Sequence, residues 1–295
     1  MLTYQNCRLC PRACGVDRTA GQLGFCRMPD RIFAARAAAH YWEEPVISGS
    51  FGSGAVFFSG CTLRCAFCQN SEISTGCAGQ PLTSSALRDV FLRLIDDGVQ
   101  NINLVTPTHF LPSIVPALTP KLPVPVVYNC GGYESVETLR QLEGLIDVYL
   151  PDYKYSDARL AAKLSAAPDY PAVADAAIRE MVRQTGPAVI RDDQLVRGTL
   201  VRHLLLPGYL DNTLGALDWF ADAFPDGSVL LSLMSQYTPA GKAKNEPPLD
   251  RRVTEDEYAA ALSYLALLGI ENGFTQDLSA AETTYIPDFN GEGLK

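Results

Sequence analysis

The chain is poor in charge and in histidine: Asp, Glu, Lys and Arg make up 19% of its 295 residues, and only three residues are His. So low a charged fraction, beside 47% hydrophobic residues, excludes a disordered or coiled-coil chain and leaves material for a sizeable core. Basic excess is missing too. A net charge of −9 and a pI near 4.9 argue against sequence-independent nucleic-acid binding, which needs a basic surface. No apolar run approaches the roughly 18 residues of a membrane span. The first ten residues, MLTYQNCRLC, lack the basic-then-apolar pattern of a secretory signal. The expectation is a cytoplasmic protein that binds neither nucleic acid nor membrane.

What the chain does have is cysteine, nine of them, unevenly placed. Cys7, Cys10, Cys14 and Cys26 form one group, Cys61, Cys65 and Cys68 another, while Cys77 and Cys130 stand apart. A disulfide framework belongs to small secreted chains. Clustered thiols in a reducing compartment read instead as metal or cluster ligands. Cys77 and Cys130 read as buried structural thiols. Around the first group the only charges up to Arg36 are six Arg and two Asp, a local basic excess suited to metal-bound thiolates.

From about Gly54 strand-like and helix-like patterns alternate. Short apolar runs at Ala55–Ser59, Ile102–Thr106, Val124–Asn129, Ile146–Leu150, Leu200–Leu206 and Val229–Met234 predict strands buried on both faces. Helical spacing recurs at Leu87, Val90, Phe91, Leu94 and Ile95, and again at Leu214, Leu217, Ala221 and Phe224 after a cap at Asp211. It recurs a third time at Tyr258, Ala261, Leu262, Leu265 and Leu268 behind a Thr254–Glu257 capping box. Shorter helices are expected after Ser135 and within 161–184, and the weakest where Pro112, Pro116 and Pro120 crowd the chain. Six strand–helix repeats imply a parallel sheet with right-handed crossovers, fewer than an eight-fold barrel needs. The fold class is therefore α/β, a partial (β/α)6 TIM-like barrel over 51–276. A cysteine-rich amino-terminal extension over 1–50 precedes it, and a tail over 277–295 follows. Chemistry in such sheets sits at the carboxyl ends of the strands. That rule selects Cys61, His109, Asn129, Cys130, Asp152, Lys154, Pro207 and Ser235.

The first strand runs into Phe57-Phe58-Ser59-Gly60-Cys61-Thr62-Leu63-Arg64-Cys65-Ala66-Phe67-Cys68-Gln69-Asn70, with cysteines spaced C-x3-C-x2-C. A cubane 4Fe–4S cluster in an electron carrier usually takes four thiolates; three leave one iron open to a ligand. Zinc is the competing reading, but this loop offers no obvious fourth ligand. The spacing, with an aromatic residue just before the last cysteine, resembles the radical S-adenosylmethionine (SAM) superfamily. The wider phrase from Gly52 to Asn70 is similar to the uncharacterised branch related to pyruvate formate-lyase activating enzyme.

That resemblance implies that Cys61, Cys65 and Cys68 hold a 4Fe–4S cluster whose open iron binds SAM. It implies reductive cleavage of SAM to a 5′-deoxyadenosyl radical that abstracts a hydrogen atom. It also implies a glycyl radical enzyme as partner substrate and a flavodoxin- or ferredoxin-type reductant. His109 stands where the family carries the Glu of a Gly-Gly-Glu phrase, and is a candidate cofactor contact. Asn129 lies in the small polar turn after the third strand. Asp152 and Lys154 look like the family's Asp-x-Lys step, and two residues apart on a strand edge they face one side. Arg202, inside an otherwise apolar strand, needs an anionic partner, either the SAM carboxylate or Asp152, and is preferred over His203. Cys7, Cys10, Cys14 and Cys26, spaced C-x2-C-x3-C-x11-C, suit zinc or a second iron–sulfur cluster. Two alternatives stand beside this reading: a non-catalytic iron–sulfur electron carrier, and a radical SAM enzyme acting on a different, small-molecule or peptide substrate.

Overall fold

The structure, a computed structural model, describes residues 2–276, Leu278 and 287–295. Of the expected tail, positions 277 and 279–286 lie outside the described residues.

The strands are β1 (Ile32–His40), β2 (Ser53–Phe58), β3 (Gln80–Leu82), β4 (Ile102–Val105), β5 (Val126–Cys130), β6 (Val148–Pro151), β7 (Val189–Arg191), β8 (Gln194–Leu204), β9 (Leu230–Met234) and β10 (Gly273–Thr275). The helices are α1 (Pro45–Ser48), α2 (Ser71–Ser74), α3 (Ser84–Asp96), α4 (Leu111–Ala117), α5 (Val136–Arg140), α6 (Ala158–Ser165), α7 (Tyr170–Thr185), α8 (Leu210–Ala223) and α9 (Glu255–Leu267). The sheet runs in the order β10-β9-β8-β6-β5-β4-β2-β1-β3, with β7 paired to β8. The path does not close, so the sheet is an open, partial barrel.

The six expected strands are β2, β4, β5, β6, β8 and β9, side by side in that order and parallel. The sheet is wider than six. β1 and β3 extend one edge antiparallel, β10 adds a further parallel strand, and β7 forms a hairpin on β8. β3, β7 and β10 have three residues each, too few for a periodicity to register. β1 reads IFAARAAAH, and its alanines favour a helix until the edge of β2 supplies backbone partners. It lies inside the 1–50 segment, so that part of the extension belongs to the sheet.

α3 and α9 form where the stripes lie, and α9 carries the Thr254–Glu257 capping box. The cap expected at Asp211 is not made. Tyr209 is the N-cap of α8, and Asp211 lies in the first turn, where its charge favours the helix terminus. α4 is only seven residues, with one Pro at its start and Pro116 inside.

Successive strand residues point to opposite faces. Val126, Tyr128, Cys130, Tyr149, Val201 and Leu205 enter the main core against the helices. Val127, Val148, Leu150, Leu200 and Leu230 turn the other way, and α1 sends Val46 and Ile47 among them. By the same alternation Asn103, Asn129, Arg202 and Ser232 fall on this inner face, so an apolar layer there borders a polar one.

Candidate functional site

The Cys61–Cys68 loop leaves the carboxyl end of β2. Each of its three thiols has a hydrogen-bonding neighbour. Leu63 N lies 3.3 Å from Cys61 Sγ, Ser165 Oγ 3.0 Å from Cys65 Sγ, and Ser74 Oγ 3.3 Å from Cys68 Sγ. Burial pushes the Cys61 thiol up to about 12, with Cys65 and Cys68 adding to it. Burial and then Cys65 raise Cys68 as well. The three sulfurs therefore share one electrostatic neighbourhood. Among the described residues no three His, Cys, Asp or Glu side chains converge on a position for a single metal ion. A cubane places each thiolate on a different iron, so its ligands stand wider apart than those of one ion. Three soft sulfur donors in one loop fit an iron–sulfur cluster by chemistry and leave one iron for an outside ligand.

The amino-terminal segment packs directly on this loop. Gly60, at φ +80°, has no room for a side chain: a Cβ would lie 2.4 Å from Met28 Cγ and 2.9 Å from the Cys26 carbonyl oxygen. Arg12 reaches across the same seam. Its Nε donates to Thr62 O at 2.9 Å and its Nη2 to Ser165 O at 2.7 Å, while Nη1 donates to Ala166 O. Cys7, Cys10, Cys14 and Cys26 lie in tight turns, with Cys7 N bonded to Val16 O, Ala13 N to Cys10 O, and Phe25 N 3.3 Å from Cys14 Sγ. Burial raises the Cys10 and Cys26 thiols, and the neighbouring thiols push them further. Arg18 is 1% exposed, donates to the carbonyl oxygens of Pro29 and His109, and lies over the Tyr4 ring.

Of the five residues expected around a cofactor, four are brought together on the inner face. Arg202 Nε donates to Asp152 Oδ1 at 2.8 Å and Nη2 to Asn129 Oδ1 at 2.7 Å. Lys154 Nζ pairs with Asp152 Oδ2, so the two do share one side. Burial alone would raise Asp152, yet Arg202 and Lys154 hold its carboxyl below the usual range. Burial disfavours the Lys154 charge, and Asp152 more than restores it. The third arm of Arg202, Nη1, donates to Glu43 Oε2 at 2.8 Å. Glu43 Oε1 in turn accepts from Asn129 Nδ2 at 3.0 Å and Asn103 Nδ2 at 3.2 Å.

His109 is set apart from these four. It is 1% exposed beneath the loop, with Nε2 2.7 Å from Ser59 O and Nδ1 without a partner. Burial lowers it to about 3, so the ring is neutral. Cys130 is buried on the helix-facing side, not the inner face. Gly132 follows it at φ +76°, where a Cβ would lie 2.2 Å from Asp152 O; that close approach holds the β5 turn against the end of β6.

The polar layer has the donor set a SAM molecule would meet: carboxylates for its cationic groups, and amide and ammonium donors for its carboxylate and ribose. Asn103 Oδ1 is buried without a hydrogen-bond partner, a vacancy an amine or hydroxyl donor would fill. Arg202 is already paired on all three arms, so Lys154 is the better-placed cation for a carboxylate.

Residues 48–111 match the family described as a 4Fe-4S single cluster domain, a span that includes the Cys61–Cys68 loop. Across 268 residues the chain is 30% identical to the uncharacterized protein MJ0674 of Methanocaldococcus jannaschii, covering 88% of this chain and 74% of that one. The chain belongs to the same family as MJ0674. The fold of this MJ0674 relative is similar to that of Streptococcus suis SuiB, with a TM-score of 0.51 at 12% identity over 76% of this chain. SuiB bound to S-adenosylmethionine gives a TM-score of 0.52, also at 12% identity, over 75% of this chain. The chain spans about half the length of these solved structures, 49% of each. The domain match falls on the cysteine loop, and the likeness to SuiB is one of fold.

Reading the residues alone misses Glu43, Asn103 and Ser165. Glu43 lies 159 positions from Arg202 and Ser165 100 from Cys65, and no spacing rule joins them. The one signal for Glu43 was Arg202 itself, a charge in an apolar strand with more arms than Asp152 alone could fill.

Proposed function

We propose that this protein is a radical SAM enzyme whose 4Fe–4S cluster is held by Cys61, Cys65 and Cys68. The observation that carries the reading is a three-thiol loop at the carboxyl end of β2, beside a polar inner layer, on the fold SuiB uses while bound to S-adenosylmethionine. When bound, cluster and SAM supply one electron and a 5′-deoxyadenosyl radical that removes a hydrogen atom from substrate. The chain's own residues bind and orient. Lys154 offers an ammonium to the cofactor carboxylate, while Asp152 and Asn129 offer acceptors nearby. The apolar layer under them, from Val46 to Leu230, keeps water from that end of the site.

The finer reading follows the motif from Gly52 to Asn70, which resembles activating enzymes. On it the substrate is a backbone glycine of a partner enzyme, and the reductant is a flavodoxin- or ferredoxin-type protein of the cytoplasm. No helix among the described residues is long and apolar enough to cross a membrane. Cys7, Cys10, Cys14 and Cys26 are read by their number and spacing as holding a second metal centre, zinc or iron–sulfur, and the lack of a single-ion convergence among the described residues favours the cluster over zinc. Arg18 favours such a centre: its guanidinium is buried with carbonyl oxygens and rings, and no carboxylate pairs with it among the described residues. A buried cation needs a nearby anion, and a thiolate centre at Cys26 supplies one.

Anaerobic reconstitution, iron and sulfide quantitation, and assay for 5′-deoxyadenosine under strong reductant test the enzyme reading. A cluster-loaded protein that binds no SAM and forms no 5′-deoxyadenosine is instead an electron carrier.

A further inference from the structure

Ser165 ends α6, is 3% exposed, and holds its hydroxyl 3.0 Å from Cys65 Sγ. Behind it, Tyr155 Oη lies 2.7 Å from Ser165 Oγ, and Tyr155 is fully buried. In the free thiol either partner of each contact could donate. A cluster-bound cysteine is a thiolate and has no proton, so Ser165 must then donate to it. With its hydrogen committed, Ser165 can only accept from Tyr155. Cluster binding thus fixes both hydrogens in one direction, Tyr155 to Ser165 to Cys65.

We propose that this directed chain sets the reduction potential of the cluster, with Ser165 as its positioning residue; the inference rests on the cluster assignment above. A hydrogen bond to a ligating sulfur stabilises the more negative, reduced state and so raises the potential. A donor that is itself a hydrogen-bond acceptor is the stronger for it. The chain is held in place: Arg12 donates to the backbone oxygens of Ser165 and Ala166, and its third bond goes to Thr62 O in the cluster loop. Arg12 thus fixes the backbone that carries the hydroxyl relative to the cluster loop. At 3.0 Å the Ser165 hydroxyl makes the shortest of the contacts to the three sulfurs, against 3.3 Å for Leu63 N on Cys61 and 3.3 Å for Ser74 Oγ on Cys68.

The test is redox titration of the reconstituted protein, followed by electron paramagnetic resonance of the reduced cluster, for wild type, Ser165→Ala, Ser165→Thr and Tyr155→Phe. Ser165→Ala should lower the reduced-to-oxidised ratio at fixed potential about tenfold, a fall of about 59 mV for one electron. Ser165→Thr keeps the hydroxyl and should titrate close to wild type. Tyr155→Phe leaves Ser165 in place but removes its orienting donor, and should shift in the same direction by less. It also serves as the readout should Ser165→Ala fail to hold iron. A wild-type protein that forms no cluster overturns this inference together with the proposed function. A wild-type cluster whose potential is the same in Ser165→Ala and Tyr155→Phe overturns this inference alone.

Discussion

Arg202 and Glu43 meet in a largely buried ion pair, Nη1 to Oε2 at 2.8 Å, between β8, the fifth of the six strands expected from sequence, and the residue two before α1. Asp152 and Asn129 take the other arms, so each guanidinium nitrogen already has a protein partner. This arrangement changes what a substitution should do.

Arg202→Lys keeps the charge and loses two of three directed bonds in a site where Arg202 and Glu43 are 13% and 10% exposed. Breaking a buried charged network costs on the order of 3 kcal/mol. For a chain of this size that lowers Tm by roughly 6–12 °C. Equilibrium SAM binding should stay within about twofold of wild type, whereas Lys154→Met should weaken it about tenfold, near 1.4 kcal/mol. A tenfold loss of affinity in Arg202→Lys at unchanged Tm would return Arg202 to direct cofactor contact.

Single Ala changes at Cys61, Cys65 or Cys68 should each abolish the site-differentiated 4Fe–4S signal, since three thiolates are the minimum that leaves one iron open. Iron content and the reduced-state spectrum read this directly. Retention of the wild-type signal in any one variant removes that cysteine from the ligand set.

On the proposed second centre, Cys10→Ala should lose metal from the amino-terminal cysteines and keep the Cys61–Cys68 cluster. Elemental analysis of the variant identifies the metal lost, and simultaneous loss of both centres would mean one shared site.

All three histidines are held neutral by burial: His40 and His203 fall to about 4 and His109 to about 3. Each folded-state value lies below the ordinary 6.5, so the unfolded chain takes up protons first as pH falls. Stability present above pH 6.5 is therefore lost progressively down to about pH 4. Each of His40 and His203 removes about 3 kcal/mol in full. Tm measured from pH 7.5 to 4.5 should fall steeply below 6.5, and His203→Gln should flatten that fall. A flat profile over this window would show that these rings titrate normally.

Much of the fold was legible because β2, β5 and β6 are buried on both faces and so read as largely apolar runs, as do the middle of β8 and most of β4 and β9. β1 was not, since its alanines carry no strand signature and only its pairing with β2 makes it one. In the site, Asp152 and Lys154 were legible as a pair two residues apart, and Arg202 as a charge out of place. Glu43 and Ser165 were not, because each reaches its partner across more than 99 positions. His109 stood at a carboxyl strand end yet turned under the loop, a choice made by Ser59 O and the packing of Arg18 against its carbonyl.

The Arg12 tie imposes an order on biosynthesis. Thr62 is made 50 residues after Arg12, but Ser165 and Ala166 follow only after more than 150. Until the ribosome has released α6, the cysteine loop has no Ser165 above it and Arg12 has one of its three anchors. Ser165 is made 100 residues after the Cys65 it contacts, so the surroundings of the three thiols are complete only once α6 has been synthesised.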